Sequence, residues 1–285
     1  MKIGVSSYSF SKYMERTGCD YLKICDLSKE MGYDAIEFID LNPKVSGKEP
    51  LETAAEISAH CAGIGLDVAA YTVGANFLCE NPDAEVERLK KCVDVAKALG
   101  AGVMRHDCCW GLRQGAGRYT WHEAVEETAP YIRRLTEYAA AQGVKTCTEN
   151  HGFIIQNSER VESLIRTVNH PNYGWLVDIG NFICADEDSV HAVSNAAPYA
   201  FHVHVKDFLC KPGSVTNPGM GWFRTRGGNY VRGTIVGNGV IPVDQCLYIL
   251  RQAGYDGCVS VEFEGLEDNL TALKAGIDYI KRVSA

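Results

Sequence analysis

Short apolar and β-branched runs recur along the whole chain, at residues 2–6, 35–39, 66–71, 102–106, 144–149, 174–178, 200–204 and 258–262. Each is short enough for a strand and bounded by turn-forming residues. Between them the apolar positions step by three and four. Val86, Leu89, Cys92, Val93, Ala96 and Leu99 thereby share one face of a helix. Asn81-Pro82-Asp83 supplies the start of that helix and Gly100 its stop. Thr120 and Glu123 form a capping-box pattern for the next one. Pro242 opens a later helix, and Leu270, Leu273, Ile277 and Ile280 line the inner face of a last helix over about residues 267–282.

Eight strands separated by helices predict parallel pairing through right-handed crossovers. With no linker or second composition regime, the pattern predicts an α/β fold, a single (β/α)8 TIM barrel over residues 1–285. An open doubly wound sheet is the weaker reading. The first turn, Ser6-Ser7-Tyr8-Ser9-Phe10, lacks GxGxxG, and polar residues end several different strands. The longest connection is expected to be a loop over about residues 208–238, after the seventh strand. It holds Trp222, Arg224, Arg226 and Arg232, and its arginines suit a ligand phosphate or carboxylate, or acidic residues of a partner subunit.

Composition narrows the function classes. The 285 residues carry a formal charge of −8, which offers no general attraction to nucleic acid or anionic lipid. No apolar run approaches the roughly 20 residues of a membrane span, and the N-terminal residues lack a signal-peptide layout. A cytoplasmic protein is expected. The 12 cysteines include no CxxC, and most sit at apolar positions of expected helices or strands, where a reduced thiol acts as a small hydrophobe.

A barrel brings the C-terminal ends of its strands to one mouth. There the sequence places Glu149, Asp178, His204 and Glu262, on the fifth to eighth strands. Three crowded carboxylates repel and lose hydration unless something neutralises them, and a divalent cation is the simplest neutraliser. An oxygen-rich set with one imidazole suits Mn²⁺, Mg²⁺, Co²⁺ or Zn²⁺. His151 follows Glu149 by two residues and offers a base, or else a loop histidine bonded to backbone. Lys206, His106 and Asn181 are candidates to touch substrate oxygens, Trp110 to stack on a sugar face, and Arg232 to hold an anionic group.

The runs Thr148-Glu149-Asn150-His151-Gly152, Val177-Asp178-Ile179-Gly180-Asn181, His202-Val203-His204-Val205-Lys206-Asp207 and Ser260-Val261-Glu262-Phe263-Glu264 resemble the xylose isomerase-like TIM-barrel family. The resemblance extends to the Gly237-Asn238-Gly239 turn and covers essentially the whole chain. That family includes sugar isomerases, ketose 3-epimerases and inositol-catabolism enzymes. The resemblance implies metal ligation by Glu149, Asp178, His204 and Glu262, with Mn²⁺ the first expectation. It also implies acid/base work by Glu149 and Glu262 through an enediolate of a keto-sugar or keto-inositol, to which the position of His151 adds a second candidate base.

One departure stands out. Ketose 3-epimerases usually carry a histidine three residues after the strand-6 aspartate, where this chain has Asn181. The alternative on the same site is a lyase acting on 3-oxo-glycosides, since some C-glycoside deglycosidases resemble this family and share the Glu149-Asn150-His151 pattern. The expected partners are a small sugar or glycoside and further copies of the chain, or a second, unrelated subunit if the lyase reading holds.

Overall fold

Asn81 Oδ1 accepts the Ala84 amide at 3.0 Å, opening the helix Pro82–Leu99. Gly100 ends it in the left-handed region, at φ 78°. The capping box of Thr120 and Glu123 forms as the spacing predicts and starts the helix Trp121–Ala141. In this computed structural model, which describes residues 1–115 and 117–284, the last helix runs Asn269–Ser284. Positions 116 and 285 of the expected domain lie outside the described residues.

The strands are β1 (Lys2–Ser6), β2 (Ala35–Ile39), β3 (Asp67–Val73), β4 (Val103–His106), β5 (Lys145–Glu149), β6 (Tyr173–Asp178), β7 (Ala200–Val205), β8 (Asp207–Lys211), β9 (Phe223–Arg224), β10 (Tyr230–Thr234) and β11 (Cys258–Val261). Eight of them close into a parallel barrel in the order β1-β11-β7-β6-β5-β4-β3-β2. These are the eight expected strands, so the fold is a single (β/α)8 TIM barrel. Alternate strand residues face the helices, where Val203, Val205 and Val259 join helix residues such as Leu89, Ile132 and Ile277 in one core. The intervening residues fill the barrel with unusually polar side chains: Glu37, Arg105, His202 and Ser260 are all buried.

Residues 208–238 differ from the loop that the sequence predicts. β8, β10 and β9 pair antiparallel into a small sheet. Phe208 and Val231 are buried beneath it with Cys184, a satellite core that gives the segment its own reason to fold. The sheet is anchored at its root by Asp207. Its carboxylate accepts the amides of Phe208 at 2.9 Å and Ile241 at 3.0 Å through Oδ1, and those of Gly237 at 2.9 Å and Gly239 at 2.8 Å through Oδ2. A Cβ on Gly239 would stand 2.1 Å from Asp207 Oδ1, which accounts for glycine in that turn. Asp207→Ala leaves four amides without their acceptor and is expected to destabilise the chain by about 3 kcal/mol, read as a lower urea midpoint at unchanged slope.

All 12 cysteines are free, seven of them buried and only Cys210 exposed. No described helix is long and apolar enough to cross a membrane.

Candidate active site

The candidate site begins with a tie between two strand ends. Asn150 Oδ1 accepts from the Asp178 amide at 2.9 Å and from Trp175 Nε1 at 3.1 Å, while its Nδ2 donates to the Asp178 carbonyl at 2.8 Å. Asp178 Oδ1 accepts the amides of Gly180 at 2.8 Å and Asn181 at 2.9 Å. The carboxylate is thereby fixed with Oδ2 turned to the barrel axis. On β5, Glu149 Oε2 lies 2.7 Å from Arg105 Nη2, and Oε1 accepts from Asn181 Nδ2 at 2.9 Å.

His204 completes the centre. Its Nδ1 stands 3.7 Å from Glu149 Oε1, 3.8 Å from Asp178 Oδ2 and 3.5 Å from Glu262 Oε2. One donor atom from each of the four residues lies within 4.8 Å of all the others. His204 Nδ1 is buried and makes no hydrogen bond, and the buried Asp178 Oδ2 has only the Lys206 ammonium beside it. An unbonded imidazole nitrogen facing three carboxylates fits a divalent cation, whose bonds of about 2.1 Å spread neighbouring donors over comparable distances. The residues present therefore suit such an ion.

Two cations share the space. Lys206 Nζ is 3.1 Å from Asp178 Oδ2 and 3.9 Å from Glu264 Oε2, and it also contacts the Glu262 carboxylate. Arg105 Nη2 bridges Glu149 and Asp107, the latter at 2.8 Å. A Cβ on Gly180 would sit 2.5 Å from Lys206 Cγ and 2.9 Å from its carbonyl oxygen, so glycine there lets the lysine strand approach. Burial pushes the Glu149 carboxyl up, but Arg105 and His204 overcome it and hold the group well below the usual range. Burial likewise opposes ionisation of Glu262, and Lys206 with His204 brings it to about 2. For Asp178, burial outweighs the attraction of Lys206, and repulsion from Glu149 and Glu262 adds to it, lifting the carboxyl to about 7.

Arg105, Glu149, His204, Lys206, Glu262 and Glu264 line a cleft of about 210 Å³ together with Tyr8, Asp40 and His151. The His151 side chain is 51% exposed, and its Nδ1 lies 3.2 Å from Asp107 Oδ1. Partial desolvation lowers the imidazole's proton affinity, but the Asp107 and Glu149 carboxylates together raise it.

Of the other expected contacts, Lys206 lines the cleft and His106, Trp110, Asn181 and Arg232 do not. His106 is fully buried, stacked on Tyr173 with Nδ1 2.9 Å from the Asp107 carbonyl, and burial brings its pKa to about 4. Trp110 is 71% exposed and, like Arg232, does not line the cleft. Arg232 lies over the Trp222 ring at 5.4 Å. Asn181 is held to Glu149 and Lys206 to the carboxylates, so both shape the centre.

Sequence reading missed Arg105, Asp107, Glu37 and His202. Arg105 and His106 are neighbours on β4, and alternation allows only one to face the mouth; the structure turns Arg105 inward. Glu37 had a visible signal, a lone charge inside the apolar run Ala35-Ile36-Glu37-Phe38-Ile39.

Residues 25–283 match the family described as xylose isomerase-like TIM barrel. The chain belongs to that family. It is 28% identical over 136 residues to an inosose dehydratase of Geobacillus thermodenitrificans, an alignment covering 47% of this chain and 45% of that protein. The match thus spans less than half the length of that relative. Among solved structures, the IOLI protein with a bound zinc atom superposes with a TM-score of 0.78 at 19% identity, covering 100% of this chain and 98% of that one. An L-ribulose 3-epimerase gives a TM-score of 0.73 at 18% identity, covering 99% and 94%. At these identities the solved structures bear on the fold alone. The first of these proteins is named for a dehydratase and the last for an epimerase.

Proposed function

We propose that the chain is a divalent-metal-dependent isomerase or epimerase that moves a proton beside the ketone of a keto-sugar or keto-inositol. The observation that carries this reading is the convergence of Glu149, Asp178, His204 and Glu262, with the buried His204 Nδ1 left without a hydrogen bond. These four residues would hold the ion, Mn²⁺ before Mg²⁺, Co²⁺ or Zn²⁺. When bound, it supplies Lewis acidity that stabilises negative charge developing on the carbonyl oxygen.

The chain's own residues supply the rest. Glu149 and Glu262 enter the cleft from separate strands, β5 and the end of β11, and offer carboxylates to a carbon held between them. Arg105 and Lys206 keep both carboxylates ionised and so able to accept a proton at neutral pH. His151, backed by Asp107, holds a proton at the cleft edge. Tyr8 and Asp40 border the space left for substrate hydroxyls.

The resemblance to inosose dehydratase supports a second reading on the same site, in which loss of the proton is followed by elimination. His151 would then protonate the departing substrate oxygen, which leaves as water or, in a 3-oxo-glycoside, as the hydroxyl of the aglycone. Incubation of the Mn²⁺-loaded protein in D₂O with a panel of keto-sugars and inososes separates the readings. Isomerase or epimerase action gives deuterium beside the ketone in an intact polyol; elimination gives a product lacking water or aglycone. Metal-loaded protein that incorporates no deuterium and forms no product across the panel overturns both.

His151→Gln is expected to slow turnover by about 10²-fold while metal content, measured by elemental analysis, stays unchanged. Loss of metal in that variant would instead place His151 among the groups that hold the ion.

A further inference from the structure

His204 presents Nδ1 to the three carboxylates only because its other nitrogen is held from behind. Nε2 lies 2.6 Å from Glu37 Oε1. The second oxygen, Glu37 Oε2, contacts His202 Nε2, which in turn is 3.2 Å from Ser260 Oγ. Glu37 is completely buried, and His202 and His204 are each 1% exposed. A carboxylate without water is costly inside a barrel unless its oxygens are met by donors, and here two imidazole N–H groups meet both.

We propose that Glu37 is a positioning residue for the metal centre: accepting the Nε2 proton of His204, it fixes the tautomer that leaves the Nδ1 lone pair aimed at the ion. The inference rests on the metal reading above and assigns a role to a residue on the far side of the barrel. An ionised carboxylate is the strongest available acceptor for that proton, and its charge raises the electron-donating power of the opposite nitrogen. His202 completes the device by occupying the other oxygen, which prevents Glu37 from rotating away.

The strand geometry was shaped to allow it. Across β6 and β7, Trp175 pairs with Ala200 but the next residue, Leu176, pairs with His202, so β7 carries one extra residue at Phe201. That irregularity sets the phase in which His202 and His204 both point into the barrel. The β2–β3 pairing shifts between Ile36 and Phe38, on either side of Glu37. Two strand irregularities therefore flank the same three side chains. On β1, Gly4 contributes space nearby: a Cβ there would stand 2.8 Å from Ser260 Oγ.

Cobalt provides a probe that does not depend on turnover. Metal-free wild type, Glu37→Gln and Ser260→Ala are titrated with Co²⁺, following the visible absorption of the bound ion and, separately, the thermal midpoint of each metal-free protein. The amide of Glu37→Gln keeps the shape and removes the charge. Its Co²⁺ affinity is expected to fall 10- to 100-fold with an altered absorption envelope, while Ser260→Ala, which touches His202 but not Glu37, binds as wild type does. Equal Co²⁺ affinity in Glu37→Gln and wild type overturns the proposal. So does a parallel loss in Ser260→Ala, which would mark a general loosening of the barrel interior. If Glu37→Gln does not fold, Glu37→Asp carries the same test, because its shorter side chain cannot reach both imidazoles. Wild type that takes up no Co²⁺ removes the metal reading itself, an outcome distinct from the others.

Discussion

Glu149→Gln is expected to lower proton exchange by about 10³-fold and to reduce bound metal below one ion per chain. The amide preserves the hydrogen-bonding shape of the side chain but carries no charge. Arg105 keeps its second partner, Asp107, at 2.8 Å, so the guanidinium is not stranded by the change. Asn181 Nδ2, now 2.9 Å from Glu149 Oε1, can still donate to the amide oxygen. The fold therefore survives, and the effect falls on the two functions assigned to the carboxylate: a donor to the ion and a base at the substrate carbon. Deuterium incorporation and elemental analysis on one preparation check both. Exchange within tenfold of wild type would show that Glu149 is neither.

Lys206→Met has its largest effect on stability. The ammonium is buried among Asp178, Glu262 and Glu264, whose side chains are 0%, 12% and 24% exposed. Removing it leaves that carboxylate cluster without its nearest cation, the kind of broken buried pair that costs about 3–5 kcal/mol. For a chain of this size the metal-free protein should melt roughly 6–20 °C lower. A divalent ion supplies the missing positive charge, so saturating Mn²⁺ is expected to raise the variant's melting temperature more than that of wild type. Calorimetry with chelator and with Mn²⁺ gives both numbers. Equal melting temperatures for the two chelated proteins would mean that the carboxylates are protonated or solvated enough to do without Lys206.

Much of the candidate site was legible before the structure, and the unread part has a common cause. Glu149, Asp178, His204 and Glu262 could be found because each lies within one residue of the end of a strand, and any eight-stranded parallel barrel gathers such positions at one mouth. Arg105 was passed over for His106 because a four-residue strand does not reveal which of two adjacent polar residues faces inward. The small sheet of β8, β10 and β9 escaped because glycines and arginines dominate the segment, whereas its stability comes from Phe208 and Val231 packing on a cysteine of a different connection.

By itself, the sequence determined the local and repeating features: eight strand–helix units, the caps at Asn81 and Thr120, and four metal-type side chains in strand-end positions. These depend on neighbours a few residues apart, whose spacing is written directly in the chain. Only the tertiary structure decided the pairings Arg105 with Glu149, Lys206 with Asp178, and Glu37 with His204, the last two residues separated by 167 positions. Barrel closure, the stagger of its strands and single-residue irregularities choose which alternate side chains meet inside, and no local pattern encodes that choice.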